Sequence, residues 1–256
     1  MMEALRVEGL SKDFGGVHAV HHVSFSVEVG ERLVIIGPNG AGKTTLFNLI
    51  NGQLLPTSGR IYFLGQDITD MTTHRRAHLG QARSFQIINL FLNLSVLDNT
   101  LLGLHGTKRS RLQMFRSMKS YGNLLSNAQE SLEAAALWDK RNELVKNLSY
   151  GEQRRIEIAL SLASKPKLLM LDEPSSGLTR DEGSEIIALI KNLGSTITVL
   201  IVDHDMDLVF GVAERILVLH YGQIIVNGKP EEIRVDPRVR EIYMGVEECM
   251  DRARAD

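Results

Sequence analysis

Residues Gly37 to Thr45 read GPNGAGKTT, directly after the apolar stretch Leu33 to Ile36. The spacing Gly-x-x-x-x-Gly-Lys-Thr ends a buried strand in a glycine turn that opens a helix. Backbone N–H groups and the positive end of the helix dipole then converge where an anion is favoured. Gly37, Pro38, Asn39, Gly40, Ala41, Gly42 and Thr45 make the cradle, Lys43 falls on the β and γ phosphates of a nucleotide, and Thr44 falls on Mg2+. A second constellation, Leu168-Leu-Met-Leu-Asp-Glu-Pro174, delivers adjacent carboxylates at the end of an apolar strand. Strand alternation points neighbours to different sides. Asp172 is therefore assigned to the Mg2+ shell, and Glu173 to orienting and deprotonating an attacking water, a role worth about 10²- to 10⁴-fold. Alone, the pair also reads as a strand ending in solvated acids; beside the phosphate loop the hydrolytic reading dominates.

The third constellation is Leu148-Ser-Tyr-Gly-Glu-Gln-Arg154. Ser149 with Glu152 three residues later forms a capping box for a helix running to about Ala163. The same helix N-terminus, with Ser149 and Gly151 exposed, also suits a terminal phosphate. The two readings are compatible.

These groups need elements to hold them. Leu33 to Ile36, Leu168 to Leu171 and Thr198 to Val202 are continuous apolar runs, as expected of parallel strands covered on both faces, and should form the centre of a nucleotide-binding sheet. Lys43 to Asn51 is the helix after the loop. Val23 to Val29 alternates with period two; with Arg60 to Leu64 and Gln223 to Val226 it suggests an antiparallel layer beside the core. Ser95 to Ala163 is mostly helical in pattern, and Leu124, Ala128, Leu132 and Ala136 can share one face. The expected fold class is α/β: a P-loop nucleotide-binding core with an antiparallel β layer and a helical subdomain inserted at about 88–164, in a single domain over 1–256.

A chain of 256 residues has room for one such core, not for a second full domain. The formal net charge of −2 leaves no footprint for nucleic acid. Cys249 is the single cysteine, so no intramolecular disulfide forms and a reducing compartment is expected. No signal peptide is found and no apolar run approaches the roughly 18 residues that span a bilayer, so a link to a membrane is expected to run through a partner. His18, His21 and His22 read as turn and strand residues, not a metal cluster. Lys108, Arg109, Arg111, Arg116 and Lys119, with Met114, Phe115 and Met118 interleaved, read as a solvated helix face, or as a face near lipid head groups or the membrane partner.

GPNGAGKTT, Gln86 in RSFQ, LSYGEQRR, LLMLDEP and His204 in VDHD occur in that order. With them the chain resembles, over essentially its whole length, the ATP-binding subunits of ABC transporters. The resemblance implies ATP and Mg2+ as ligands and hydrolysis coupled to transport. It implies that Gln86 serves both metal and catalysis and links the nucleotide site to the helical subdomain and the membrane partner. It likewise implies that His204 contacts the γ-phosphate and that Phe14 stacks on adenine. Without it, Gln86 and His204 would be ordinary polar residues and Phe14 a core or rim aromatic. It further implies a head-to-tail dimer, each site taking Lys43, Thr44, Gln86, Asp172, Glu173 and His204 from one chain and Ser149 with Gly151 from the other. The implied partners are transmembrane permease subunits, a second ATP-binding subunit, identical or not, and a substrate-binding protein. The implied location is the cytoplasmic face of the cell membrane, peripheral through the permease.

Three positions depart from the broad pattern. Tyr150 and Glu152 replace Gly and Gln of Leu-Ser-Gly-Gly-Gln, and Thr179 stands where the family usually has Asp. FGGVHAV, RSFQIINLF, LSYGEQRR and the segment from VDHD to KPEEI resemble the ATPase subunits of branched-chain amino-acid importers; urea importers and the lipopolysaccharide export ATPase are similar. The other classes fit less well. A soluble ABC-type ATPase acting on DNA or ribosomes usually carries coiled coils or two cassettes, Glu173 argues against a regulatory module without turnover, and no Asn-Lys-x-Asp motif supports a GTPase. Ile87, Ile88, Leu90, Phe91, Leu92, Leu94, Val96 and Leu97 crowd one short stretch after Gln86. Part of it, around Leu90 to Leu92, is expected to line a groove for a permease helix.

Overall fold

The structure, a computed structural model, describes residues 2–84, 90–106 and 122–243. Gln86 with its neighbours 85–89, the basic stretch from Lys108 to Lys119, and Cys249 lie outside the described residues. The strands are β1 (Glu3–Phe14), β2 (Val17–Glu28), β3 (Arg32–Ile36), β4 (Ser58–Phe63), β5 (Gln66–Asp67), β6 (Gln81–Arg83), β7 (Leu168–Asp172), β8 (Thr198–Val202), β9 (Arg215–His220) and β10 (Gln223–Gly228). The helices are α1 (Lys43–Asn51), α2 (Thr73–Leu79), α3 (Val96–Gly106), α4 (Gly122–Ala134), α5 (Tyr150–Ala163), α6 (Arg180–Lys191), α7 (Met206–Val212) and α8 (Pro230–Val235). They fall into two compact units, Met1–Leu79 with Thr198–Asp256, and Gly80–Ile197.

The first unit has two sheets. One is antiparallel in the order β2-β1-β4-β5 and buries Leu5, Val7, Leu10, Val23, Val27, Ile61 and Phe63 on one face. In the other, β9, β3 and β8 run parallel and, apart from Thr198 at the start of β8, are apolar along their buried lengths, because both of their faces are covered. The sequence pattern placed Gln223 to Val226 in the antiparallel layer. It lies instead at the edge of the parallel sheet, paired antiparallel with β9. The cause is the two-residue turn Tyr221-Gly222, both at positive φ (44° and 74°), a hairpin geometry that folds β10 back onto its immediate predecessor.

In the second unit β6 and β7 pair in parallel, and α3, α4 and α5 bury Leu101, Leu104, Leu124, Ala128 and Ala163 against one another. Leu124, Ala128 and Leu132 share the buried face of α4 as their spacing predicts, but Ala136 does not. The helix has ended: Ala136 is exposed with φ 53°, and Leu137 turns inward in its place. Leu137 N–H donates to Leu132 O (2.8 Å) and Ala136 N–H to Glu133 O (3.0 Å), the paired bonds of a left-handed helix terminus. Among the described residues no helix is long and apolar enough to cross a membrane.

Candidate nucleotide site

In the first unit, Leu33 to Ile36 of β3 are at most 1% exposed and the chain turns at Gly37 into the loop. A Cβ on Gly37 would lie 2.1 Å from Leu219 O, and one on Gly42 would lie 2.2 Å from Ala19 O. Only glycine admits these backbone approaches, and Gly42 also takes φ 99° as it opens α1. The hairpin turn braces the loop through Gly222 N–H, which donates to Ala41 O at 2.9 Å. Lys43 is buried, and its Nζ donates to the carbonyls of Gly37 (2.6 Å) and Pro38 (2.9 Å), which fixes the ammonium over the loop. Asn39, Gly40 and Thr44 are exposed, Pro38 and Thr45 half-buried.

Arg76, absent from the sequence reading, anchors the far end of α1. It is fully buried and donates to the carbonyls of Leu49 (2.8 Å), Ile50 (2.6 Å), Thr69 (2.9 Å) and Met71 (2.9 Å). A guanidinium there satisfies last-turn carbonyls and complements the negative end of the helix dipole. Burial lowers its pKa to about 10, which leaves it charged near neutrality.

His204 belongs to the same unit. Parallel pairing of Ile35 with Val202 places the ends of β3 and β8 on one sheet edge, so the phosphate loop and His204 leave from that edge. Open α/β sheets place their ligands at this carboxyl edge. Asp203, fully buried, accepts from the N–H groups of His204 (2.7 Å) and Asp205 (3.0 Å) and thereby fixes the turn, while the His204 side chain is exposed. Phe14, at the end of β1, is 48% exposed, with Lys12 Nζ 5.2 Å from its ring centre; it is an accessible aromatic face. His18, His21 and His22 lie in β2, where His18 bonds Asp13 (2.7 Å).

The second unit gathers Asp172, Glu173, Ser149 and Gly151. Asp172 ends β7, is 2% exposed, and accepts from Arg83 Nη2 at 2.7 Å. Glu173 follows at φ 46°, a left-handed conformation that non-glycine residues rarely adopt. Arg154, in the second turn of α5, holds it: Nη2 donates to Asp172 O and Glu173 O (both 2.9 Å), Nε to Pro174 O (3.4 Å) and Nη1 to Glu157 (2.8 Å). Arg154 was legible only as one letter of a motif. Arg and Glu three apart on a helix look like a surface pair, and nothing local marks this one as buried.

Ser149 caps α5 as its spacing predicts, with the reciprocal bonds of a capping box to Glu152, and is exposed, but Gly151, expected to be exposed beside it, is buried with the Glu182 carboxyl packed against it. Glu182 carries no such local signal for this site. Its Oε1 accepts from Ser149 Oγ (2.9 Å) and Gly151 N–H (3.1 Å), and its Oε2 from Thr179 N–H and Oγ1 (both 3.0 Å). Led by the Thr179 amide and then the Ser149 hydroxyl, these donors lower its pKa to about 2.

Residues 20–176 match the family described as ABC transporter, and residues 223–249 match the one described as branched-chain amino acid ATP-binding cassette transporter. The chain is 38% identical over 250 residues, 94% of its length and 97% of the relative's, to the high-affinity branched-chain amino acid transport ATP-binding protein LivG of Escherichia coli (strain K12). It is 37% identical to the lipopolysaccharide export system ATP-binding protein LptB of Acidithiobacillus ferridurans, over 96% of this chain and 98% of that one. Among solved structures, the ADP conformation of MJ1267, an ATP-binding cassette of an ABC transporter, superposes with TM-score 0.85 at 33% identity, covering 96% of this chain and all of that one. The dimeric post-hydrolysis state of the cassette MJ0796, bound to ADP and Pi, gives 0.73 at 28% identity, covering 88% and 98%.

Proposed function

Because this chain belongs to the ABC transporter family of ATP-binding cassettes, we propose that it hydrolyses Mg·ATP to drive a membrane permease that imports branched-chain amino acids. Lys43 and the loop from Gly37 to Thr45 bind the phosphates. The loop suits phosphate binding because Gly37 and Gly42 are closed against backbone and a helix N-terminus follows directly. That cradle is the observation that carries the reading. Thr44 offers an exposed hydroxyl, and Asp172 a carboxylate already oriented by Arg83, so both suit a hard cation bound through oxygen. Mg2+, when bound, supplies charge neutralisation across the β and γ phosphates. Glu173 orients the water and takes its proton, His204 and Gln86 serve the γ-phosphate end, and Phe14 stacks on the base. Ser149 and Gly151 act on the nucleotide of a second subunit, in a dimer of the kind recorded for MJ0796. The protein works at the cytoplasmic membrane face, held by its permease.

The 38% identity to LivG and the match at residues 223–249 favour branched-chain amino acids; the identity to LptB favours lipopolysaccharide export as the second reading. The deciding experiment reconstitutes the subunit with permeases encoded beside it. Stimulation of ATP hydrolysis by a binding protein loaded with leucine, isoleucine or valine is the expected result. Stimulation by lipopolysaccharide or urea instead would replace the substrate assignment, and absence of hydrolysis would remove the enzymatic one.

A further inference from the structure

The carboxylate of Glu182 has two halves with different work. Oε2 closes the capping box of its own helix, α6, with Thr179, and a helix cap needs nothing more. Oε1 reaches 33 residues back along the chain to Ser149 Oγ and Gly151 N–H, at the start of α5. The fit is close: a Cβ on Gly151 would lie 2.6 Å from the carboxyl carbon of Glu182. The two donors taken up this way are the two that the proposed function assigns to the terminal phosphate of the partner's ATP. A carboxylate and a phosphoryl group are the same class of ligand for a helix N-terminus, a planar or tetrahedral oxyanion accepting from N–H and O–H.

We propose that Glu182 is an internal latch on this phosphate-binding edge, an autoinhibitory carboxylate that the γ-phosphate of a second subunit's ATP must displace before the dimer closes. The inference rests on the reading of Ser149 and Gly151 as donors in trans. It gives Thr179 a place as well: by holding Oε2, Thr179 keeps a foothold for the carboxylate once Oε1 has been released, so the latch can reseat after phosphate leaves.

The test measures the ATP concentration that half-converts the full chain to dimer, by sedimentation, in a Glu173→Gln background that binds without turning over. Adding Glu182→Gln, which preserves shape and capping while removing the charge, should lower that concentration roughly 10-fold, the scale of one charge-assisted hydrogen bond. Glu182→Asp, charged but too short to span to Ser149, should lower it as well, which covers the case in which the first variant folds poorly. Thr179→Ala, which removes the hydroxyl foothold but leaves the Thr179 N–H on Oε2, should lower it less than Glu182→Gln does. An unchanged or raised ATP requirement in both Glu182 variants overturns the latch, as does equal behaviour of the Thr179 and Glu182 variants. Ser149→Arg separates the two layers. If it fails to block dimerisation, the trans reading itself is wrong; if it blocks while the Glu182 variants change nothing, only the latch fails.

Discussion

Arg154 Nη2 lies 2.9 Å from the carbonyl oxygen of Glu173, and the residue so held has left-handed backbone at φ 46°. A non-glycine residue in that region costs on the order of 1 kcal/mol or more and persists only where its surroundings over-determine it. Three consecutive carbonyls, from Asp172 to Pro174, are tied to this one guanidinium, which is itself 1% exposed and paired with the buried Glu157. The carboxylate proposed to take the proton from water is thus aimed by a side chain on the helix that carries Ser149 and Gly151.

Replacing Arg154 should therefore separate chemistry from binding. Arg154→Lys keeps the charge but loses the fork that spans two carbonyls. We expect kcat to fall about 10-fold or more, with ATP affinity changed by less than about 3-fold. Arg154→Ala should in addition cost about 3–5 kcal/mol of stability, since it leaves the buried Glu157 without its guanidinium. Equilibrium nucleotide binding beside steady-state turnover checks the split; equal losses in both would demote Arg154 to a folding residue.

Glu173→Gln should retain Mg·ATP binding, lose turnover by at least about 10²-fold and accumulate as an ATP-bound dimer. Lys43→Ala should weaken binding itself, because its ammonium is the charge fixed over the loop by Gly37 O and Pro38 O. Steady-state hydrolysis by the Glu173 variant at a near-normal rate would take Glu173 out of the mechanism.

What the sequence made legible follows from whether a signal is local. β3, β7 and β8 are apolar on both faces and read directly as runs, and the capping box at Ser149 and Glu152 spans four residues. β1, as long as any strand among the described residues, escaped because its alternation breaks at Gly9 (φ 54°), where its pairing to β2 shifts register between Val7 and Leu10. Thr179 and Glu182 carry the same spacing as Ser149 and Glu152, so the capping half of Glu182's bonding was present in the letters. The other half is a contact between residues 33 apart, which no periodicity records. Arg76 shows the same limit, since an arginine on a short polar helix gives no sign that four carbonyls surround it.

The end of α4 makes a stability prediction independent of function. Ala136 occupies the left-handed position of a terminus that glycine usually fills, and its side chain is exposed, so no packing opposes the change. Ala136→Gly should stabilise the protein by about 0.5–1 kcal/mol, partly offset by unfolded-state entropy, and raise Tm by roughly 1–3 °C. Calorimetry decides it: a lower Tm would mean that the terminus is not strained by Ala.

The last prediction concerns the permease. Of the apolar stretch after Gln86, Val96 is fully buried and Leu97 packs against the helical core, whereas Phe91 is 62% and Leu92 48% exposed. Their backbone is firmly held. Phe91 N–H donates to Asn99 Oδ1 (2.8 Å), Asn99 Nδ2 donates back to Phe91 O (3.1 Å), and Lys146 N–H donates to Leu92 O (3.0 Å). Two large apolar side chains presented to solvent on a hydrogen-bonded main chain support the proposal that this surface receives the apolar face of a short permease helix. Phe91→Asp should leave the isolated subunit folded, with Tm unchanged within about 2 °C because an exposed side chain carries little stability, and with ATP binding intact. The same variant should abolish copurification with the permease and transport. A large loss of thermal stability with assembly unaffected would instead assign Phe91 to the core of the helical unit and move the docking surface elsewhere.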